Sequence, residues 1–120
     1  MNTEQLCHLK EQSFTYALQA IKLCQFLQEA KDPIGQFFGT QYLQLVTVMG
    51  TQIEGIELDI TPTDLENNCT IACQAAKKSL YLLKLLSKAN IVPSNRIKPI
   101  INTTEELIAL IDQYHAQKKI

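Results

Sequence analysis

Tryptophan is absent from this 120-residue chain, and glycine, proline and cysteine occur only four times each. So few glycines and prolines argue against a turn-rich β-sandwich, while a hydrophobic share of 46% argues against disorder. The cysteines show no Cys-x-x-Cys spacing and no secretory leader pattern is present, which predicts free thiols in a cytoplasmic protein. No apolar run approaches the roughly 18 residues that a membrane span needs, so we expect a soluble protein without a membrane partner.

The familiar signatures of catalysis and cofactor binding are missing as well. The sequence has no Ser/His/Asp arrangement, no glycine-rich phosphate loop, no His-Glu-x-x-His and no Glu-x-x-His of the kind that binds iron in helical bundles. Arg96 has no histidine after it until His115, so the closely spaced Arg–His motif of helical ribonuclease domains is absent too. We therefore expect a protein that is not an enzyme and that uses no cofactor, metal ion or small-molecule substrate.

Charge is distributed unevenly along the chain, although the net charge is only −1. Residues 1–76 contain nine acidic and three basic residues, whereas residues 77–120 contain three acidic and eight basic ones. This asymmetry allows either an anionic partner on the later helices or head-to-side contacts between copies of the chain. Global charge does not decide between the two.

Apolar residues at helical spacing predict four helices. The predicted bounds are residues 4–30, 36–58, 63–89 and 94–117. Short connections between helices of this length favour an all-α, antiparallel up-down-up-down four-helix bundle. The whole chain, residues 1–120, is predicted to form this single domain.

Local signals set the predicted helix ends. Pro33, in a turn over residues 31–35, is predicted to end the first helix because it lacks a backbone donor and restricts the residue before it. Thr63 and Glu66 have the spacing of a capping box, which predicts the start of the third helix.

The second predicted helix contains glycines, and the fourth contains a proline. Gly50 and Gly55 lie within the second predicted helix, where they indicate close approach to a neighbouring helix or a local bend. Pro99 leaves two alternatives open for the fourth helix. Either one kinked helix spans residues 94–117, or a short turn precedes a helix that begins at Thr103.

The first and third helices carry more apolar surface than one core-facing stripe requires. One apolar face of the first helix consists of Phe14, Ala17, Leu18, Ile21 and Cys24, and a second consists of Tyr16, Ala20, Leu23 and Leu27. The third helix has an apolar arc of about 200°, twice the usual width. This excess predicts contacts between copies, through an oligomer interface formed by Tyr16, Leu23, Leu82 and Leu86.

A basic strip with an aromatic residue at its centre follows the polar side of the third helix. Lysines around an exposed tyrosine can bind phosphates while the ring stacks on a base. The candidate nucleic-acid-binding residues are Lys77, Lys78, Tyr81, Lys84, Lys88, Arg96 and Lys98. The alternative interpretation is a solvated face whose lysines bind nothing.

Two other clusters have simpler interpretations. Cys69 and Cys73 lie one helical turn apart, but no spacing supplies further zinc ligands, so the pair is predicted to pack as small buried hydrophobes. Glu54, Glu57 and Asp59 form the densest carboxylate group. Glu54 is predicted to face a lysine of another helix or another subunit.

Three segments, SFTYALQAIKLCQFL, QYLQLVTVMGTQIEGIE and IACQAAKKSLYLLKLL, together resemble the bacterial four helix bundle protein family. This family was first noticed as reading frames inside intervening sequences of 23S ribosomal RNA genes. The resemblance implies a left-handed antiparallel bundle that assembles as a ring of five without known enzymatic activity. Where the family commonly has a basic residue and an asparagine on the second helix, this chain has Gln44 and Gln52.

Distant relatives in that family are accessory variability determinants of diversity-generating retroelements, in which a basic pentamer binds the reverse transcriptase and its RNA. The resemblance therefore implies a homo-oligomeric scaffold or adaptor, pentameric in form, for RNA, DNA or a reverse transcriptase. The alternative is a purely structural protein–protein interaction bundle that binds no nucleic acid.

Overall fold

The computed structural model describes residues 2–118 and contains four helices and no strand in that range. The helices are α1 (Asn2–Ala30), α2 (Pro33–Glu54), α3 (Pro62–Lys88) and α4 (Ser94–Lys118). They pack as a closed bundle, α1 on α2, α2 on α3, α3 on α4 and α4 on α1. The predicted all-α four-helix bundle is confirmed, and residues 1, 119 and 120 of the predicted domain lie outside the described residues.

The dimensions of the bundle explain how the chain runs. The molecule is 46 Å long, and the 29 residues of α1 span about 43 Å at 1.5 Å per residue. Because only two residues join α1 to α2, α2 has to run back along α1. The handedness of the bundle stays a prediction. None of the helices within residues 2–118 is long and apolar enough to cross a membrane.

The connection between α1 and α2 is shorter than predicted. Lys31 adopts a left-handed backbone conformation, with φ of 56°, directly after α1. Asp32 caps α2, since its Oδ1 accepts hydrogen bonds from the backbone N–H groups of Ile34 at 3.0 Å and Gly35 at 3.3 Å. Pro33 takes the first helical position, where a missing N–H is harmless. The prediction that α2 begins three residues later is wrong.

The predicted end of α2 and cap of α3 also need correction. α2 stops four residues before the predicted bound, and Gly55 follows it as the C-terminal cap. Thr61 caps α3, because its Oγ1 accepts a hydrogen bond from the backbone N–H of Asp64 at 3.2 Å. Pro62 takes the first position of the helix. The capping box predicted at Thr63 is therefore two residues too late.

α4 is one continuous helix, although Pro99 lies inside it. The proline removes the hydrogen bond that residue 99 would donate to the carbonyl of residue 95. In the next turn, Thr103 Oγ1 donates to the Pro99 carbonyl at 2.9 Å. Of the two alternatives left open by the sequence, the separate helix beginning at Thr103 is wrong.

Close approach of α1 and α2 depends on Gly39. A Cβ at this position would lie 3.0 Å from Cδ1 of Leu27, closer than ordinary packing allows. A Cβ at Gly50 would meet only Ser13 Oγ, at 3.8 Å, which is a normal contact. Gly50 is therefore not needed for the close approach that the sequence indicated, and Gly55 lies beyond the helix.

A chain of buried hydroxyl groups joins α1, α2 and α4 at the centre of the core. Tyr42 Oη lies 2.7 Å from Tyr16 Oη, which lies 2.6 Å from Thr104 Oγ1. Thr104 donates its own proton to the Ile100 carbonyl at 2.7 Å. Tyr16 must therefore donate to Thr104, and Tyr42 must donate to Tyr16, so the chain has one direction.

Candidate interaction surfaces

The four residues predicted to form an oligomer interface lie inside the bundle. Tyr16 and Leu86 are 0% exposed, Leu23 is 2% exposed and Leu82 is 8% exposed. Each side chain lies on the side of its helix that packs against neighbouring helices, and all four belong to the core of a single chain. A second copy cannot reach them, so this interface prediction is wrong.

The other apolar face of α1 is the one that the fold leaves outside. Phe14 is 66% exposed, Leu18 is 49% exposed and Ile21 is 43% exposed. On α2, Val48 is 41% exposed and Leu43 is half-buried. We call this surface the α1–α2 face, consisting of Phe14, Ala17, Leu18, Ile21, Leu43 and Val48. The excess apolar surface inferred from the sequence exists, but different residues form it.

An open groove of about 610 Å³ lies between the two helices on this face, the α1–α2 groove. Its apolar lining comes from Ile21, Leu27, Leu43 and Val48. The polar lining consists of Gln25, Gln28, Gln36, Thr40, Gln44 and Thr47. All lining residues fall within residues 21–48, and none of them is charged. The groove can therefore hold an apolar group without desolvating a charge.

Cys24 lies in the α1–α2 groove but has no reactive character. Its Sγ donates a hydrogen bond to the Gly39 carbonyl at 3.3 Å. Burial raises the pKa of the Cys24 thiol to about 11, so the thiol stays protonated at neutral pH. A protonated thiol is a poor nucleophile and metal ligand, and the groove therefore offers contact rather than covalent chemistry.

Charged residues gather at the end of the face that is occupied by Phe14. Lys10 Nζ lies 4.0 Å from Glu54 Oε1, with the two side chains 25% and 67% exposed. This confirms the prediction that Glu54 faces a lysine of another helix. An ion pair so open to water contributes little to stability. Glu11 and Thr15 complete the surroundings of Phe14.

One feature of the sequence, other than helical periodicity, could have indicated this surface. α2 has no charged residue from Pro33 to Ile53, although one side of it faces solvent. Its outward positions hold glutamine, threonine and apolar residues instead. The groove itself needed the structure, because it depends on how closely α1 and α2 approach at Gly39.

The structure exposes the predicted basic strip of α3. We call its exposed residues, Lys77, Lys78, Tyr81, Lys84 and Lys88, the α3 strip. Tyr81 is 63% exposed and shares a shallow groove with Gln41 and Leu45 of α2. Arg96 does not extend the strip, because its guanidinium lies 4.4 Å from the ring centroid of Phe26 on α1. Lys98 is exposed on α4.

The cysteine pair of α3 packs in the bundle. Cys69 is 1% exposed and Cys73 is 9% exposed, which confirms the predicted burial of both. Cys73 Sγ donates a weak hydrogen bond to Asp112 Oδ1 at 3.5 Å, and burial raises the pKa of the Cys69 thiol to about 11. Among residues 2–118, no three or more His, Cys, Asp or Glu side chains are placed to hold a metal ion.

Comparison with known proteins shows what the fold resembles. No family model matches the chain, and no curated protein matches its sequence. A solved structure of a protein with unknown function, from the S23 ribosomal protein family of Bacteroides thetaiotaomicron, superposes with a TM-score of 0.84. It is 23% identical, and the match covers 96% of this chain and 97% of that chain. At this identity the likeness shows the four-helix fold alone.

Proposed function

We propose that this chain is a non-enzymatic scaffold or adaptor that assembles into a homo-oligomer through the α1–α2 face. The observation that carries this proposal is the absence of charge on α2 from Pro33 to Ile53. Interface cores are depleted of charged residues and enriched in aromatic ones relative to other protein surfaces. An outer helix without charge, beside exposed Phe14 and Leu18, has the composition of a surface that another protein covers.

A ring of five copies is the form that the family resemblance supports. A ring requires a heterologous contact, in which one patch of each copy meets a different patch of the next. As an accessory protein, a ring would hold several copies of a weak binding surface together and strengthen binding by avidity.

Size-exclusion chromatography with light scattering, at low micromolar concentration, tests the assembly. We expect a particle of five times the 13.6 kDa chain mass. A stable particle of another multiple of the chain mass would support the proposed scaffold with a different number of copies. A single species at the mass of one chain would overturn the proposal.

The second candidate function, binding of nucleic acid as the accessory protein of a reverse transcriptase, is supported by the α3 strip. Four exposed lysines surround Tyr81, whose ring is free to stack on a base. The polar contacts would go to phosphates, so affinity should fall steeply between about 50 and 200 mM salt. If the oligomer forms but binds no RNA or DNA, the purely structural interaction bundle is the better description.

Charge reversal at Lys84 and Lys88 tests this binding against a matched control. Lys22 of α1 and Lys31, directly after α1, are exposed and do not belong to the α3 strip, and their reversal changes the net charge equally. We expect Lys84→Glu/Lys88→Glu to abolish binding of single-stranded RNA, measured by fluorescence anisotropy, while Lys22→Glu/Lys31→Glu retains it. An equal loss of RNA affinity in both variants would contradict specific binding at the α3 strip.

A further inference from the structure

We propose that copies of the chain associate by inserting Phe14 of one copy into the α1–α2 groove of the next. This inference rests on the proposed function, because it names the contact through which the homo-oligomer forms. The occupant of the groove is therefore a second copy of this chain, and its anchor is a single aromatic side chain.

Phe14 and the groove lie on the same face but cannot meet within one chain. Phe14 is 66% exposed at one end of the α1–α2 face, and Ile21 is the nearest residue of α1 that lines the groove. Seven residues of α1 separate them, or about 10 Å at 1.5 Å per residue. The rigid helix keeps an exposed aromatic ring and an open apolar groove apart in each copy, so only a second copy can bring them together.

The groove has the size and chemistry to receive this ring. Its volume of about 610 Å³ lies within the range of pockets that hold drug-sized molecules, which are larger than one phenylalanine side chain. Ile21, Leu27, Leu43 and Val48 provide apolar contact. Aromatic side chains buried in such pockets commonly provide most of the affinity of an interface.

The residues around Phe14 and those at the rim of the groove can also form hydrogen bonds with each other. Lys10, Glu11 and Glu54 lie around Phe14, and their charged groups need hydrogen-bonding partners when an interface covers them. The rim of the groove is rich in glutamine, whose amide group both donates and accepts hydrogen bonds. Lys10 and Glu54 lie 4.0 Å apart and would enter the interface as an ion pair, while amides of the rim could donate hydrogen bonds to the Glu11 carboxylate.

Phe37 of α2, at 58%, and Tyr81, at 63%, are nearly as exposed as Phe14 and are its aromatic rivals for the groove, and Tyr81 is the one with charged neighbours. Lys77 and Lys78 flank it, so its insertion would carry two ammonium groups to a lining without a carboxylate. Such burial of unpaired cations is unfavourable. Tyr81 therefore serves as the matched control for Phe14.

The first experiment compares the solution masses of Phe14→Ala and Tyr81→Ala by light scattering. Both side chains are largely exposed, so both variants should keep the thermal stability of the folded subunit. We expect Phe14→Ala to have the mass of one chain and Tyr81→Ala to keep the mass of the unmodified oligomer. If Phe14→Ala remains oligomeric, the inference is wrong while the proposed scaffold stands. An unmodified chain that is monomeric would overturn the scaffold itself.

The second experiment tests whether Phe14 and the groove act as partners. Thr40 is exposed and lines the groove, so Thr40→Arg blocks the groove without touching the core. Each variant alone should be monomeric, because Phe14→Ala lacks the anchor and Thr40→Arg lacks the groove. Mixing them leaves one working contact, from the anchor of Thr40→Arg to the groove of Phe14→Ala, and should give a mixed dimer. Absence of that dimer would overturn the inference.

Discussion

Tyr16 occupies the middle of the buried hydroxyl chain, where it donates to Thr104 and accepts from Tyr42. Its ring also meets that of Tyr42 edge-on, with centroids 6.5 Å apart. A satisfied buried network of this kind favours one arrangement of the helices over slipped ones, because slippage would leave a hydroxyl without a partner. The sequence could not reveal the network, since its members are 26 and 88 residues apart.

The direction of the hydroxyl chain predicts unequal effects of two similar substitutions. Tyr16→Phe leaves the Tyr42 donor buried without an acceptor, and should lower the free energy of unfolding by about 1–3 kcal/mol. Tyr42→Phe leaves Tyr16 still donating to Thr104, and should cost about 1 kcal/mol or less. Urea unfolding of the two variants measures the difference. A larger loss for Tyr42→Phe would show that the chain runs in the opposite direction.

The buried tyrosines and thiols also predict a loss of stability at alkaline pH. Burial raises the pKa values of Tyr16 and Tyr42, and raises that of Cys24 from 9.0 to about 11. As the pH rises past the ordinary pKa values, the unfolded chain releases protons that the folded chain still holds, so the free energy of unfolding falls. Thermal unfolding should show a constant Tm near neutral pH and a decline between about pH 9 and 11. A flat profile through that range would be inconsistent with buried neutral groups.

At the scale of the helix, periodicity predicted that α1 has two apolar faces but not which of them faces the core. Phe14 and Ile21 repeat at the same spacing as Tyr16 and Leu23, so hydrophobicity alone does not separate the faces. Contacts with other helices determine which face is buried, because Tyr16 forms hydrogen bonds with hydroxyl groups of α2 and α4. In addition, α1 packs closely against Gly39. Those contacts are known only once the bundle is assembled.

The helix starts were more predictable than the periodicity alone suggested. α2 and α3 both begin with a capping residue directly before proline, Asp32 before Pro33 and Thr61 before Pro62. This order combines the preferred N-cap residues with the preference of proline for the first turn. Both predicted starts were too late because Pro33 was interpreted only as the end of α1, and the cap of α3 was placed at Thr63.

Two glycines of α2, Gly39 and Gly50, predict opposite effects of the same substitution. Gly50→Ala meets only an ordinary contact and removes a glycine from a helix interior, so it should raise the free energy of unfolding by about 0.5–1 kcal/mol. Gly39→Ala places a Cβ 3.0 Å from buried Leu27 and should lower it. Thermal or urea unfolding provides the comparison. Equal stabilisation by both substitutions would show that α1 and α2 can separate at no cost.

For the whole molecule, composition, helical periodicity and short connections together predicted an all-α four-helix bundle, and the structure confirms that class. The interface residues were wrong because the bundle buries Tyr16, Leu23, Leu82 and Leu86 within one chain. The exposed surface includes the α1–α2 face, whose groove is lined by uncharged residues, and the basic α3 strip. The α1–α2 face suits another copy of the chain, and the α3 strip suits an anionic partner.

The solution mass of the unmodified chain, measured by light scattering beside the Leu18→Asp/Ile21→Asp variant, tests the assembly through the α1–α2 face most directly. Both substituted residues are exposed, so the variant should fold, and its aspartates should keep a second copy from covering the face. We expect a multiple of 13.6 kDa for the unmodified chain and 13.6 kDa for the variant. An unmodified monomer, or a variant that still assembles, would contradict association through this face.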